Sequence, residues 1–517
     1  MSSHRGAFPP LLTLAAALAG LVLPACSDQP LAFRSDLVAL VAVDTAKFGS
    51  LGEALPVVFK VVGEDGRPIR IRLTGLRVAD TSIVYTVAGS LSDTAVVLRS
   101  RRNGTTTLTL RVGQLRRDIV IAVSQVAVHL EAALKNADSL LILDQGDPIP
   151  IVCRAVDRTG HPLAVPPLVS SGAGNTVTAA PCSSVAAERS GFDTLSITSG
   201  DLSVRLPVTL VLRPTVSSPV GEFVVIDSAP EGYWAPSMRR NTRGELEVYF
   251  ASFSKEPDES GYTRGDLHRL ISTDGFHFHY DGIALQHDDD ICALDGRGIE
   301  NVAVVPRNDG PGWRMFYAGG TDPCYGWQVF SAVSGDERHW TKEPGVRLSN
   351  GGTVPPAAPV YAPWPVGEGL DVERLPSGEW RMLTGGYEHL EPYEDKFQIV
   401  EWRSLNQLTW SYVGPVLTTR DLPPEAKASV FSPTIREFAP GLFRMIFSGD
   451  NRNSPGGRSR LWSAISTDRT HWRFEGELMG GVGIDLYYAA LVDEHLVFIR
   501  KDADGITRLA AATVIMN

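Results

Sequence analysis

Cysteine is scarce in this chain. There are five in 517 residues, and none stands in a C-x-x-C pair or in the Cys/His spacing that holds zinc. A basic stripe is missing too. Lys and Arg number 48 against 59 Asp and Glu, for a net charge of −11. That balance argues against a nucleic-acid partner recognised through its phosphates. Long apolar runs are absent apart from Leu11–Leu23. That stretch is too short for a helix across a hydrocarbon core ~30 Å thick, which takes about 20 residues. No nucleophile elbow, phosphate loop or Ser/His/Asp spacing occurs. His287-Asp288-Asp289-Asp290 is acidic but lacks the spaced ligand pattern of a calcium loop, so it reads as a solvated acidic turn. No cofactor and no metal is expected.

His4 and Arg5 precede the apolar stretch, and Leu23-Pro24-Ala25-Cys26 follows it. Basic residues and then a short apolar region mark a signal peptide. The leucine three residues before a cysteine, with a small residue between, resembles the bacterial lipoprotein box, from which Pro24 departs. The resemblance implies removal of residues 1–25 and lipidation of Cys26, with acyl chains anchoring the protein to a membrane. The location implied is extracytoplasmic in a bacterial cell envelope, at the outer membrane or facing the periplasm. An ordinary secretory signal near a cysteine is the alternative. In an exported chain the even remainder, Cys153, Cys182, Cys292 and Cys324, suggests two disulfides within domains; free buried thiols are the alternative.

A long repeat fills the C-terminal half. A serine stands six residues before a large aromatic at Ser272/Phe278, Ser334/Trp340, Ser404/Trp410 and Ser466/Trp472, with 62, 70 and 62 residues between serines. Apolar runs beginning at Leu246, Trp313, Trp380 and Phe443 precede these pairs, and Glu247, Arg314, Arg381 and Arg444 occupy one place within them. Each unit carries about four short antiparallel strands, the content of a propeller blade. A fifth unit, from Asp485, has only three strands, and Gly221–Asp227 is the expected donor of the fourth, which would close the ring and cover an open edge. The expectation is a five-bladed β-propeller over 219–517. Trp340, Trp410 and Trp472 are expected to pack between blades.

Some 190 residues precede it, with their own repeat. Leu108, Leu110, Gly113 and Leu115 recur 87 residues later as Leu195, Ile197, Gly200 and Leu202. Alternating apolar and polar residues give two β-sandwiches, 37–124 and 125–214, joined to the propeller by a linker from Arg213 to Pro219. The strand-Gly-x-Pro start and closing hairpin resemble bacterial immunoglobulin-like domains, which implies a spacer role. The fold class expected is all-β: two immunoglobulin-like sandwiches and a five-bladed propeller, in a monomer.

The innermost strands are expected to begin near Tyr233, Gly298, Gly369, Val430 and Asp485, placing Ala235, Glu300, Asp371, Ser432 and Tyr487 at equivalent positions around the axis. Carboxylates beside aromatics suit sugar recognition and glycoside hydrolysis, in which one carboxyl protonates the leaving oxygen and another activates water. Trp234-Ala235-Pro236, Leu370–Leu383 and Ser331–Gly345 resemble blade motifs of glycoside hydrolase family 43, across about 300 residues. That resemblance implies a glycan or polysaccharide partner. The chain departs from it at Ala235-Pro236, where the family has Asp-Pro, and at Phe431-Ser432-Pro433, where it has a carboxylate. If the protein is a hydrolase, Glu300 and Asp371 form the pair, with Asp485 or Asp227 third. Trp234 and Tyr487 would then be sugar platforms, Arg297 a clamp and Asn301 a substrate contact. Glu388, His389, Glu391 and Tyr393 form a polar loop on the third blade that could rim the same mouth. A non-catalytic surface propeller is the competing expectation.

Overall fold

The computed structural model describes residues 37–136, 138–172, 177, 180–217, 222–227, 232–254, 263–293, 295–320, 327–349, 364–390, 394–422, 429–450, 459–481 and 483–516. Cys26 and the signal region lie outside this set. Nearly every element is a strand, and no helix among the described residues is long and apolar enough to cross a membrane. The chain divides into two compact units, 1–129 with 155–165, and 130–154 with 166–517.

The first unit holds a β-sandwich. One sheet is built on Leu37–Ala42, Ala54–Gly63, Ala95–Ser100 and Val84–Thr86, the other on Thr45–Phe48, Leu115–Val123, Gly104–Val112 and Gly75–Val78. The alternation foreseen in Thr107–Val123 is real: Leu108, Leu110, Val112, Ile119 and Ile121 are buried while their neighbours face outward. Loop 157–161 belongs to this unit. Asp157 accepts hydrogen bonds from Leu51 N at 2.8 Å, Gln125 Nε2 at 3.0 Å and His161 N at 3.0 Å. Burial works against its ionisation, but these donors hold the carboxyl well below the usual range.

The second unit begins with the other sandwich. Leu140–Leu143 runs parallel to Thr209–Leu212, just as Thr45–Phe48 runs parallel to Val120–Val123, so the internal repeat extends to topology. Cys153 and Cys182 form a disulfide. Cys292 is also disulfide-bonded; Cys324, its expected partner, lies outside the described residues.

Four blades follow, each an antiparallel sheet of four strands. Their innermost strands are Trp234–Arg240, Gly298–Pro306, Trp364–Arg374 and Ser429–Ala439. The fifth blade pairs Asp485–Val492, His495–Lys501 and Thr507–Ile515. Closure is more divided than the sequence suggested. Glu222–Phe223 pairs with the fifth blade, but Val225–Asp227 pairs in parallel with His277–His279 on the outer edge of the first. One segment thus bridges first and last blades. Thr215–Val216, read as linker, is also a strand on the fifth blade, against Val514 and Ile515.

The serine/aromatic repeat is a turn joining third and fourth strands. Ser272, Ser334 and Ser466 each donate from Oγ to the carboxylate two residues on, at 3.0 Å, and Ser404 bonds Asn406 at 3.2 Å. That oxygen accepts the next free amides, as Asp336 Oδ1 does from Arg338 N at 2.9 Å and His339 N at 2.8 Å. The residue between adopts the left-handed region: Gly275, Glu337, Gln407 and Arg469 have φ of 84°, 63°, 63° and 64°. Three of these are not glycine, a conformation L residues avoid unless something holds it. What holds it is the preceding blade. Glu337 accepts from Thr242 Oγ1 at 2.7 Å and pairs with Arg239. Gln407 donates to Pro306 O at 2.8 Å and accepts from Arg314 at 2.7 Å. Arg469 pairs with Glu373 at 2.5 Å and its carbonyl accepts from Arg381 at 2.6 Å. The first blade has Gly275 here because His495 of the fifth packs against it; a Cβ would lie 2.2 Å from His495 Nδ1.

The arginine row lies in the same layer. Arg314, Arg381 and Arg444 are at most 1% exposed, and each meets carboxylates: Glu343 at 2.8 Å, Glu373, and Glu475 at 2.8 Å. The first blade inverts the pair, with Glu247 buried against Arg269. Phe278, Trp340, Trp410 and Trp472 pack in the hydrophobic clusters of the blades, Trp410 edge-on to Phe316 at 5.4 Å.

This turn end also carries the second sandwich. Val211, Leu442 and Ile465 form a buried cluster with Leu140, Ile142 and Phe438, and Arg444 donates to Leu212 O at 2.9 Å. The second sandwich is therefore packed on the fourth blade, just ahead of the segment expected as a linker. The inner strands begin at the opposite end of the ring.

Candidate functional site

Every inner strand is interrupted near its start. Cross-strand pairing slips at Trp234/Ser237, Glu300/Val302, Glu368/Leu370, Phe431/Thr434 and Tyr487/Ala490. The residue at the slip is left-handed in all five: Ala235 (φ 46°), Asn301 (48°), Gly369 (72°), Ser432 (51°) and Tyr488 (52°). Such bulges bend a strand and re-aim its side chains. Here they form a ring, which we call the throat. The side of the ring where the strands start is the mouth. Below the throat an axial cavity of about 140 Å³ is lined from all five blades, by Ser237, Ala303, Asp371, Thr434 and Ala490 among others.

The bulges correct the expected register. Trp234, Glu300, Glu368, Phe431 and Tyr487 are the true equivalents, pairing with Ala251, Ala318, Gly385, Ser448 and Ile499. Glu300 and Tyr487 were placed on that level. Ala235 and Ser432 lie one residue further along. Asp371 lies three residues beyond Glu368, level with Ser237, Ala303 and Thr434 in the cavity. Sequence reasoning passed over Glu368, although Gly369 beside it was the signal, since an isolated glycine in a strand marks a bulge. Gly369 is needed for space as well as conformation: a Cβ there would lie 2.2 Å from Ser432 Cα.

The candidate residues occupy distinct settings. Glu300 is buried, at 7% exposure, just above the throat. Asp371 accepts from Ile435 N of the neighbouring inner strand at 2.6 Å, and its exposed edge faces the cavity. Burial pushes its carboxyl pKa up, with Arg436 opposing the rise and Glu373 adding to it. Asp485 is half-buried at the mouth and accepts from Ser459 N at 3.1 Å. Asp227 belongs to the outer edge of the first blade, so it is no axial carboxylate. Trp234 is half-buried and packs on Tyr488 at 5.1 Å and on Tyr487 at 6.4 Å; Tyr487 itself is buried beneath it. Phe431, where the resemblance led us to look for an acid, is 3% exposed against Phe397 and Tyr488. Arg297 is half-buried immediately before the second inner strand, its backbone tied to Gly320 O and Gly265 N. Asn301 accepts from Gly369 N at 2.9 Å.

The acidic turn is organised by neighbours. Arg264 donates to Asp288 O, Asp289 O and Gly296 O at 2.8–3.0 Å. Asp295, fully buried, accepts from Asp288 N, Lys342 and Tyr317, and burial raises its pKa nonetheless. No cluster of potential metal ligands occurs among the described residues. Glu391 and Tyr393 lie outside them, while Glu388 and His389 end the strand Trp380–Leu390.

No protein-family profile matches the sequence, nor does any curated protein. Solved structures do resemble it. A glycoside hydrolase shares 13% identity with a TM-score of 0.45, covering 58% of this chain and 92% of its own. The native Bacillus subtilis arabinanase shares 12% at 0.39, over 56% and 96%. The β-1,2-mannobiose phosphorylase of Listeria innocua shares 12% at 0.39, over 59% and 96%. The five-bladed assignment stands on the strand pairing itself.

Proposed function

We propose that the propeller binds a glycan at its mouth without hydrolysing it. The observation that carries this reading is the setting of Asp371. A hydrolytic pair needs two carboxyls flanking one glycosidic bond in space that admits it. Asp371 instead sits below the throat, capped by a backbone amide, in a cavity of about 140 Å³. Pockets that enclose a ligand run to roughly 300–1,000 Å³. The two places where the resemblance led us to look for catalytic carboxylates hold Ala235 and Phe431. What remains at the mouth is an aromatic face, Trp234, beside Glu300 and Asp485, groups that accept sugar hydroxyls.

Around that site we propose an extracytoplasmic protein, lipid-anchored through Cys26, with the sandwiches as immunoglobulin-like stalk domains. The disulfide Cys153–Cys182 supports an oxidising compartment. The second sandwich supports the propeller from its turn end, which leaves the mouth on the other side.

Calorimetric titration with neutral oligosaccharides tests the binding reading. Trp234→Ala is expected to weaken binding about tenfold or more, or about 1.4 kcal/mol. Unchanged affinity would remove the aromatic face from the site. One observation favours a second reading, a hydrolase built on another pair. Glu368 shares the level of Glu300 on the adjoining inner strand. Sugar release abolished by Glu368→Gln would establish it.

A further inference from the structure

The throat contains polar atoms that the fold does not satisfy. Asn301 is 3% exposed; its Oδ1 is held by Gly369 N, yet its Nδ2 has no hydrogen-bond partner. Ser432, 4% exposed, has an unpartnered Oγ. Buried polar groups are almost always paired in folded proteins, so two orphans at one level ask for a cause. Both residues are also left-handed, a second cost at the same place. They flank the third blade from either side: Asn301 bonds Gly369, and Ser432 Oγ lies 2.7 Å from where a Cβ of Gly369 would be. Both line the axial cavity.

The surroundings restrict what could pair with them. Pro236, Val302, Pro433 and Ala489 offer no side-chain hydrogen bond, whereas Asp371 offers an acceptor below. An Nδ2–H donor, a hydroxyl and a carboxylate together match a hydroxyl group, which accepts one hydrogen bond and donates another. At the throat itself Asp371 and Glu300 disfavour an anion; Arg239 and Arg436 line the cavity further down. The cavity holds little more than the edge of one ring, so a ligand that reaches the throat ends there.

We infer that Asn301 and Ser432 recognise hydroxyls on the terminal ring of a neutral glycan, so that the mouth reads chain ends rather than chain interiors. This rests on the glycan reading above and adds the part of the polymer that is bound.

The test is calorimetry on the whole chain with neutral oligosaccharides of arabinose, xylose, mannose and glucose, two to six units long. The same sugars with an O-methylated non-reducing end form a second series. The expected result is an affinity that does not change beyond about two units and falls at least tenfold on methylation. Asn301→Ala and Ser432→Ala should each lose at least tenfold for the free sugar and nothing further for the methylated one. If a variant fails to fold, the methylated series decides alone. Affinity that climbs with length and ignores both methylation and Asn301→Ala would overturn chain-end reading while leaving glycan binding intact. Variants that lower stability but bind normally would reduce the throat to a site for structural water, with the same consequence. Absence of binding by every sugar would overturn the glycan reading and this inference together.

Discussion

The two ends of the propeller are built on opposite plans. At the turn end the four complete blades carry one device. A serine and a carboxylate or amide close the turn, and the left-handed residue beside them bonds the blade before it, or in the first blade gives way to a histidine of the last. At the mouth end the bulge is common to all five blades, but the residue ahead of it is not: Glu300 and Glu368 are acidic on adjoining blades, and Phe431, Tyr487 and Trp234 are aromatic on the other three. Polar atoms without a hydrogen-bond partner occur at both ends, among them Trp340 Nε1 and Arg381 Nε in the turn layer and Asn301 Nδ2 and Ser432 Oγ in the throat. Regularity at the turns marks what the ring needs to close. Strained backbone occurs at both ends, tied across blades at the turns and, in the throat, by Gly369 N to Asn301 and Tyr488 N to Ser448.

The largest expected effect strikes the turn end. Arg444→Ala would strand the buried Glu475 and free Leu212 O, costing about 3–5 kcal/mol, as removal of one partner from a buried pair does. Denaturant unfolding measures it; a loss under about 1 kcal/mol would show the arginine row to be incidental to closure. Gly369→Ala brings the same question to the throat. Its Cβ would meet Ser432 backbone at a φ of 72°, and overpacking plus left-handed strain predict about 3 kcal/mol. A neutral result would mean the inner strands can spread at this level. A milder contrast compares turns. Asn406 already does in the third blade what Asp468 does in the fourth. Asp468→Ala should therefore cost about 1 kcal/mol, and Asp468→Asn much less.

Proton linkage sharpens the contrast further. Burial opposes ionisation of Asp468, yet the His471 ring and the amides of His471 and Thr470 hold its pKa well below the usual range. A depressed carboxyl gives stability that is fully present above its unfolded value, ~3.9, and is lost as pH falls toward the folded one. Melting curves should thus decline below about pH 4, less so in Asp468→Asn. Asp371 has the opposite sign. Its raised pKa means the ionised form disfavours folding, so Asp371→Asn should raise Tm at about pH 7 and leave it unchanged at acid pH, where both states are protonated. Lower stability at neutral pH would indicate that the carboxylate is a needed ion partner of Arg436.

The ring could be read from residues alone because its closure devices recur: Ser272, Ser334, Ser404 and Ser466 announce four blades before any strand is drawn. The site could be read only in part. Glu300 and Tyr487 fall at the expected level, each just ahead of its bulge. Asp371 was raised to their level because a bulge leaves no mark in composition except Gly369, and four of the five bulge residues are ordinary Ala, Asn, Ser and Tyr. The division of Glu222–Asp227 between two blades, and the packing of Leu140 and Ile142 on Leu442, depend on contacts between distant segments that periodicity does not encode.

Everything proposed for the mouth depends on Asp371 being outside the chemistry. The direct measurement is reducing-sugar release beside binding, for the unmodified chain and for Glu300→Gln and Asp371→Asn. Saturable binding without sugar release is the predicted result. Sugar release that Asp371→Asn abolishes would contradict it.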